Sequence, residues 1–202
     1  MSTELIVTVV AFILILVGLG FWFLTRRKTT EHLRERFGPE YENTVRTLRS
    51  QQRAEAELSK REERVRKLNI VPLPQAEREQ YQEKWLAVQS RFVDEPDRAL
   101  ADANQLVQQV MRRCGYPVAD FEQSAADISV DHPHVVENYR AATRIADRSE
   151  RSAASTEELR QALVHYRALF DDLLHSEERN LNIKPTDTRV RKGKSSGVQP
   201  SH

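Results

Sequence analysis

Two short motifs contain the only residues of this sequence whose types and spacing are typical of a chemical site. In each motif an aspartate precedes a histidine by three residues, Asp131 with His134 and Asp172 with His175. A helix brings residues at this spacing to one face, and metal sites in helical bundles use a carboxylate and a histidine in this way. Such sites need two further inward carboxylates, which the sequence does not indicate. A helix cap explains Asp131 better, and a cation near a helix C-terminus explains His175 better.

No other pattern indicates catalysis or cofactor binding. The glycine-rich phosphate loop, the paired-cysteine motif, the serine elbow and the zinc-protease helix motif are all absent, and the six glycines are scattered. The single cysteine, Cys114, excludes an internal disulfide, and it lies on the apolar side of its helix, where packing is expected. We therefore expect no enzyme activity and assign no catalytic, cofactor-binding or metal-binding residues; a metal-dependent enzyme in the bundle core is the alternative.

Charge and aromatic residues argue against specific nucleic-acid binding. The 31 basic and 30 acidic side chains nearly cancel, so no overall field attracts a polyanion. Tyr81, Trp85, Phe92, Tyr139 and Tyr166 lie on apolar stripes without interleaved basic residues, which predicts core packing instead of a platform for stacked bases.

The elements that would position any site begin with a membrane anchor. After a short tail of residues 1–4, residues 5–24 contain no charged side chain. As a helix this segment would be roughly 30 Å long, which matches the hydrocarbon thickness of a bilayer. The basic start and small-residue cleavage site of a secretory signal are missing. We expect an uncleaved, single-pass transmembrane helix in the cell (inner) membrane.

The flanks of this segment predict its orientation. Arg26, Arg27 and Lys28 follow it at once, and basic residues near the end of a span stay on the cytoplasmic side. Trp22 and Phe23 occupy the place of interfacial aromatic residues. We predict that these five residues lie at the membrane interface and that the C-terminal domain is cytoplasmic.

The next segments are a juxtamembrane stretch of residues 25–38 and a charged helix of residues 39–69. Many Arg, Lys and Glu side chains in the helix are spaced by four, which supports an isolated, solvated spacer. About thirty residues would hold the following domain roughly 45 Å away. The alternative is a weak coiled coil, in which Leu58 and Val65 share a seam with polar residues and the chain forms a homodimer.

Residues 70–175 carry the strongest helical patterns. Pro72 and Pro74 end the charged helix, Pro96 begins a later one, and Gly115 followed by Pro117 stops it. Ser155 and Glu158 form a capping-box pattern before a final apolar stripe. The sequence predicts one all-α bundle of four main helices and a short one. Residues 176–202 have no apolar stripe and many basic residues, which predicts a disordered basic tail.

Five short motifs resemble a family of uncharacterised bacterial proteins with one N-terminal span, an Arg/Glu-rich helix and a C-terminal helical domain. They are Phe37-Gly38-Pro39-Glu40-Tyr41, Val88-Gln89-Ser90-Arg91-Phe92-Val93-Asp94-Glu95-Pro96, Gly115-Tyr116-Pro117, Asp120-Phe121-Glu122 and Ser129-Val130-Asp131-His132-Pro133. The likeness extends over residues 35–175. It implies a bacterial source and a membrane location, and it implies no activity or functional residue.

These observations together favour a membrane-anchored, non-catalytic helical module that presents an interaction surface or scaffold to a protein partner. The polar connections of residues 115–130 and 147–155 are the first candidates for that surface, since loops carry function more often than packed stripes do. A further alternative is a protein that organises lipid or the cell envelope through its anchor and basic tail.

Overall fold

The computed structural model describes residues 27–151 and 153–175, together with Phe12, Ile13 and Leu16. All regular secondary structure in these residues is helical, which confirms the predicted all-α class. Helix α1 is described over residues 27–37. The remaining helices are α2 (Pro39–Leu48), α3 (Gln51–Val65), α4 (Gln75–Arg91), α5 (Pro96–Cys114), α6 (Phe121–Asp131), α7 (Val136–Ser149) and α8 (Thr156–Leu174).

The start and stop signals in the sequence explain the limits of α5 and α8. Pro96 lies in the first turn of α5, where its missing N–H costs no helical hydrogen bond. Gly115 ends α5 at φ 101°, and a Cβ there would lie 2.3 Å from the carbonyl oxygen of Asn69. The predicted capping box at the start of α8 is confirmed, since Ser155 and Glu158 each bond the other's backbone N–H. Helix α5 therefore begins and ends, and helix α8 begins, where local chemistry favours it.

The predicted helical bundle is present, with α4, α5, α7 and α8 as its main helices and α6 as a short one. Trp85 of α4 stacks on Phe170 of α8 with ring centroids 4.7 Å apart. Tyr139 of α7 packs against Tyr166 of α8, and both side chains are buried. Trp85, Tyr139 and Tyr166 thus lie in the core, as the sequence predicts, whereas Tyr81 and Phe92 are only partly buried against it.

A second apolar cluster, beside the core of the bundle, joins α1, α2 and α3 to α6. Its buried members are Leu33, Phe37, Tyr41, Leu58, Val65 and Val130. Ile70 contacts both clusters at the point where the chain passes from α3 toward the bundle. Residues before the bundle therefore form a packed layer on it.

The prediction of one continuous spacer helix over residues 39–69 is wrong. Arg49 adopts a left-handed conformation at φ 50° and ends α2, and the side chain of Ser50 then caps α3 by accepting from the N–H of Arg53. Ala54, Leu58 and Val65 of α3 are buried. Because α3 packs against both α2 and α6, it does not hold the bundle at a distance.

The predicted membrane span falls outside the described residues, except for Phe12, Ile13 and Leu16, which are helical with exposed side chains. Within the described part of the chain, no helix combines the length and the apolar character that crossing a bilayer requires. Residues 176–202, predicted as a disordered tail, also lie outside the residues that the structure describes.

Candidate functional site

A cleft of about 730 Å³ separates α1 from the bundle, and we call it the α1 cleft. Helix α1 contributes His32, Glu35 and Arg36, and the extended segment after α3 contributes Ile70, Val71 and Pro72. The remaining lining residues are Cys114, Tyr116, Val130, Asp131, His132, Pro133, His134 and Leu173. The cleft therefore combines an apolar wall with a ring of titratable side chains.

Asp131 is the polar centre of this cleft. Arg36 of α1 donates a hydrogen bond to its Oδ1 at 2.8 Å, and the Tyr116 hydroxyl donates to its Oδ2 at 2.8 Å. Burial, together with the charge and hydrogen bond of Asp131, raises the pKa of Tyr116, so its hydroxyl stays protonated and acts as a donor. The carboxylate thus ties α1 to the end of α6.

A buried histidine forms the second polar contact of the cleft. His132 Nδ1 lies 2.6 Å from Asp172 Oδ2, and the histidine side chain is only 4% exposed. The edge of its ring faces Tyr116, with centroids 6.0 Å apart. Because a buried polar side chain needs a hydrogen-bond partner, the contact holds the end of α8 against the turn between α6 and α7.

The described residues of the cleft do not assemble an activated nucleophile. Cys114 is 3% exposed, and burial raises the pKa of its thiol to about 11, so the thiol stays protonated at neutral pH. The Tyr116 hydroxyl already donates to Asp131, and His132 is held by Asp172. The geometry suits binding by shape, hydrogen bonds and apolar contact.

The structure brings the two Asp-His motifs together, but the aspartate of one motif contacts a histidine of the other. Asp172 contacts His132 instead of pairing with His175, whose Nδ1 lies 2.7 Å from the Asp171 carbonyl oxygen at the end of α8. In the described part of the chain, no group of three or more His, Cys, Asp or Glu side chains is arranged to hold a metal ion.

The expectation that Asp131 caps the following helix is wrong. Asp131 is the last residue of α6, and α7 starts only at Val136 without a side-chain cap. Its carboxylate instead accepts hydrogen bonds from Arg36 and Tyr116, which lie 95 and 15 positions away in sequence. The Asp-His-Pro pattern resembles a start signal, and the tertiary contacts of the aspartate override it.

The membrane-interface residues lie at the edge of the described structure. Trp22, Phe23 and Arg26 are outside it, whereas Arg27 and Lys28 belong to α1 and are exposed. Residues 115–130, first considered as a polar connection, include most of α6, and they contribute Tyr116 and Val130 to the α1 cleft. The described residues of the segment 147–155 do not line it.

Sequence reasoning missed a buried ion-pair triad. Glu40 of α2 is 3% exposed, and it accepts from Arg61 Nη1 at 2.9 Å and from Arg140 at 2.7 and 2.8 Å. Burial alone would raise the pKa of Glu40, but the hydrogen bonds and charges of Arg140 and Arg61 reverse that effect and lower it. The Gly-Pro-Glu pattern indicates the start of α2, but it does not indicate that Glu40 pairs with two arginines distant in sequence.

The triad borders a second recess of about 690 Å³, which we call the charged groove. It is formed by one face each of α2, α3 and α7, with Glu122 of α6 at its edge. Its lining residues are Glu40, Asn43, Thr44, Thr47, Leu48, Arg53, Ala56, Glu57, Lys60, Arg61, Glu122, Glu137, Arg140 and Arg144. Basic and acidic side chains alternate there, in contrast to the apolar wall of the α1 cleft.

Comparison with known proteins leaves the fold and the cleft as the basis for function, because no family model, curated protein or solved structure matches this chain.

Proposed function

We propose that this protein is a membrane-anchored, non-catalytic helical module that binds the juxtamembrane segment of a partner protein in the α1 cleft. The proposed anchor is residues 5–24, with the helical domain on the cytoplasmic side. The observation that carries the proposal is that α1, which is described from a few residues after the proposed anchor, lines a recess of about 730 Å³.

The packing of α1 supports a cleft held close to the bilayer. Leu33 is 1% exposed and Phe37 is fully buried in the cluster shared with α3 and α6. At about 1.5 Å per residue, the side chains of α1 that line the cleft begin roughly 8 Å from its first described residue. A segment that leaves the membrane beside the anchor would therefore reach the cleft over a short distance.

The character of the lining supports a polypeptide ligand. Ile70, Val71 and Pro72 provide apolar contact on one side, and Val71 is 38% exposed. Among the polar lining residues, the Glu35 side chain has no hydrogen bond or ion pair with any residue that the structure describes, so it can receive a basic group or an N–H. A ligand with alternating apolar and polar groups matches both walls.

Site-specific photo-cross-linking in the full chain tests this function. A benzoylphenylalanine at position 35 should give a discrete adduct with a membrane protein of the producing cells, whereas the same probe at Leu86, an exposed residue of α4, should not. Val71→Trp, which crowds the cleft, should reduce the adduct at position 35. Equal labelling from both positions, or an unchanged adduct in the Trp variant, would refute the cleft as the binding site.

The anchor requires its own measurement. A reporter that is active only in the cytoplasm, fused after His202, should be active, and the chain should remain in the membrane fraction after an alkaline wash. Removal of residues 5–24 should release it. A chain that washes off intact, or an inactive reporter, would contradict the anchor or its orientation, respectively.

A further inference from the structure

The charged groove has a surplus of basic charge at its open edge. We propose that it binds an acidic polypeptide segment, with Arg53 and Lys60 of α3 as the residues that receive two carboxylates. This site is separate from the α1 cleft, and the inference does not depend on the proposed function of that cleft.

The carboxylates inside the groove are already engaged. Glu40 is held by Arg61 and Arg140, Glu57 binds Arg61 at 3.1 Å, and Glu137 binds Arg144 at 3.2 Å. A cationic ligand would compete with these arginines for each carboxylate. The three carboxylates therefore do not favour a basic partner.

Two basic side chains that line the groove lack ion pairs of this kind with the described residues. Arg53 and Lys60 are exposed, and their side chains have no ion pair or hydrogen bond with any described residue. Among the described residues that line the groove, Glu122 is the one carboxylate whose side chain has no ion pair or hydrogen bond with another described residue. Two unpaired cations against one unpaired anion leave a positive edge, which favours an acidic ligand.

The spacing of the two cations indicates the form of the ligand. Arg53 and Lys60 lie seven residues apart on one face of α3, a distance of about 10.5 Å along the helix. A polyproline II segment repeats every three residues with about 3.1 Å of rise, so carboxylates at positions i and i+3 lie on one side roughly 9 Å apart. The groove thus fits an extended peptide with acidic residues three apart.

Two peptides of identical composition test the inference against the full chain in phosphatidylcholine nanodiscs. Acetyl-Glu-Pro-Pro-Glu-amide should bind several-fold more tightly than acetyl-Pro-Glu-Glu-Pro-amide, and added salt should weaken its binding. Amide chemical shifts of Thr47 and Ala56, two lining residues, report the contact. Equal affinity for the two peptides, or inorganic phosphate binding as tightly as the first peptide, would overturn the assignment.

Variants of matched charge complete the test. Arg53→Glu combined with Lys60→Glu should weaken binding roughly tenfold or more, since two attractive pairs become repulsive. Arg46→Glu combined with Arg112→Glu changes net charge equally at exposed positions outside the groove, and it should alter affinity less than twofold. Glu122→Gln should strengthen binding. A control pair that loses as much affinity as the groove pair, or an unchanged Glu122→Gln affinity, would contradict the proposal.

Discussion

Replacement of Glu40 by glutamine should destabilise the protein far more than loss of any surface carboxylate. The variant leaves Arg61 and Arg140, whose side chains are 13% and 17% exposed, without the carboxylate that neutralises them. Breaking a buried ion pair from one side costs about 3–5 kcal/mol. Because both arginines keep some contact with solvent and Arg61 keeps Glu57, we expect about 3 kcal/mol, at the lower end.

The pH dependence gives the same prediction a second readout. The pKa of Glu40 is lower in the folded protein than its ordinary value of 4.5. Its ionisation therefore stabilises the fold at pH values above 4.5, and this contribution is lost as the pH falls through the lowered pKa. The stability gap between the wild-type chain and Glu40→Gln should be constant from about pH 6 to pH 8 and shrink below about pH 4.

Urea unfolding of the full chain in mild detergent, followed by circular dichroism, measures both effects. Glu137→Gln is the matched control, since the Glu137 side chain is 58% exposed and its pairs should contribute less than about 1 kcal/mol. A triple variant with Glu40, Arg61 and Arg140 replaced by Met, Met and Leu should be more stable than Glu40→Gln, because it leaves no unpaired buried charge. A loss below about 1 kcal/mol for Glu40→Gln would refute the role assigned to the triad.

Three further outcomes test the local structure. Gly115→Ala should lower the free energy of unfolding in urea by more than about 2 kcal/mol, since φ is 101° and the new Cβ would meet the Asn69 carbonyl. Gly38→Ala should lower it less, since its Cβ would lie 3.6 Å from His134. Equal losses of stability in the two variants would contradict this. Ser155→Ala should lose about 1 kcal/mol with the capping box of α8, and a neutral result would show that the cap contributes little. Cys114 should react slowly with iodoacetamide at pH 8, at a rate that rises in urea, because its thiol is buried with a pKa of about 11; fast labelling of the native chain would be inconsistent with this environment.

The sequence predicts the bundle well because its helices obey rules of local chemistry. Helix α5 has an apolar stripe, a proline at its start and a glycine at its end, and each feature acts within a few residues. The same holds for α8 and its capping box. Neither needs knowledge of the rest of the chain, so periodicity and capping rules are sufficient.

The layer formed by α2 and α3 could not be predicted in the same way. Arg61 and Arg64 face carboxylates of other helices, Glu40 and Asp127, and both of these acids are buried. In one sequence, an arginine that points to a buried carboxylate cannot be distinguished from an arginine that points to water. The helix is therefore interpreted as solvated on every face, and its packing is missed.

Charged side chains that pair over long sequence separations also explain why the α1 cleft and the charged groove escape detection. Asp131 is bound by residues 15 and 95 positions away, and Glu40 by Arg140 at a separation of 100. Hydrophobic periodicity does not reveal such hydrogen-bonded pairs, although they join α1 and α2 to the bundle. Because these contacts fix α1 against α6, a partner that binds in the α1 cleft would meet a preformed surface close to the proposed anchor, and not a domain held about 45 Å away by an isolated helix.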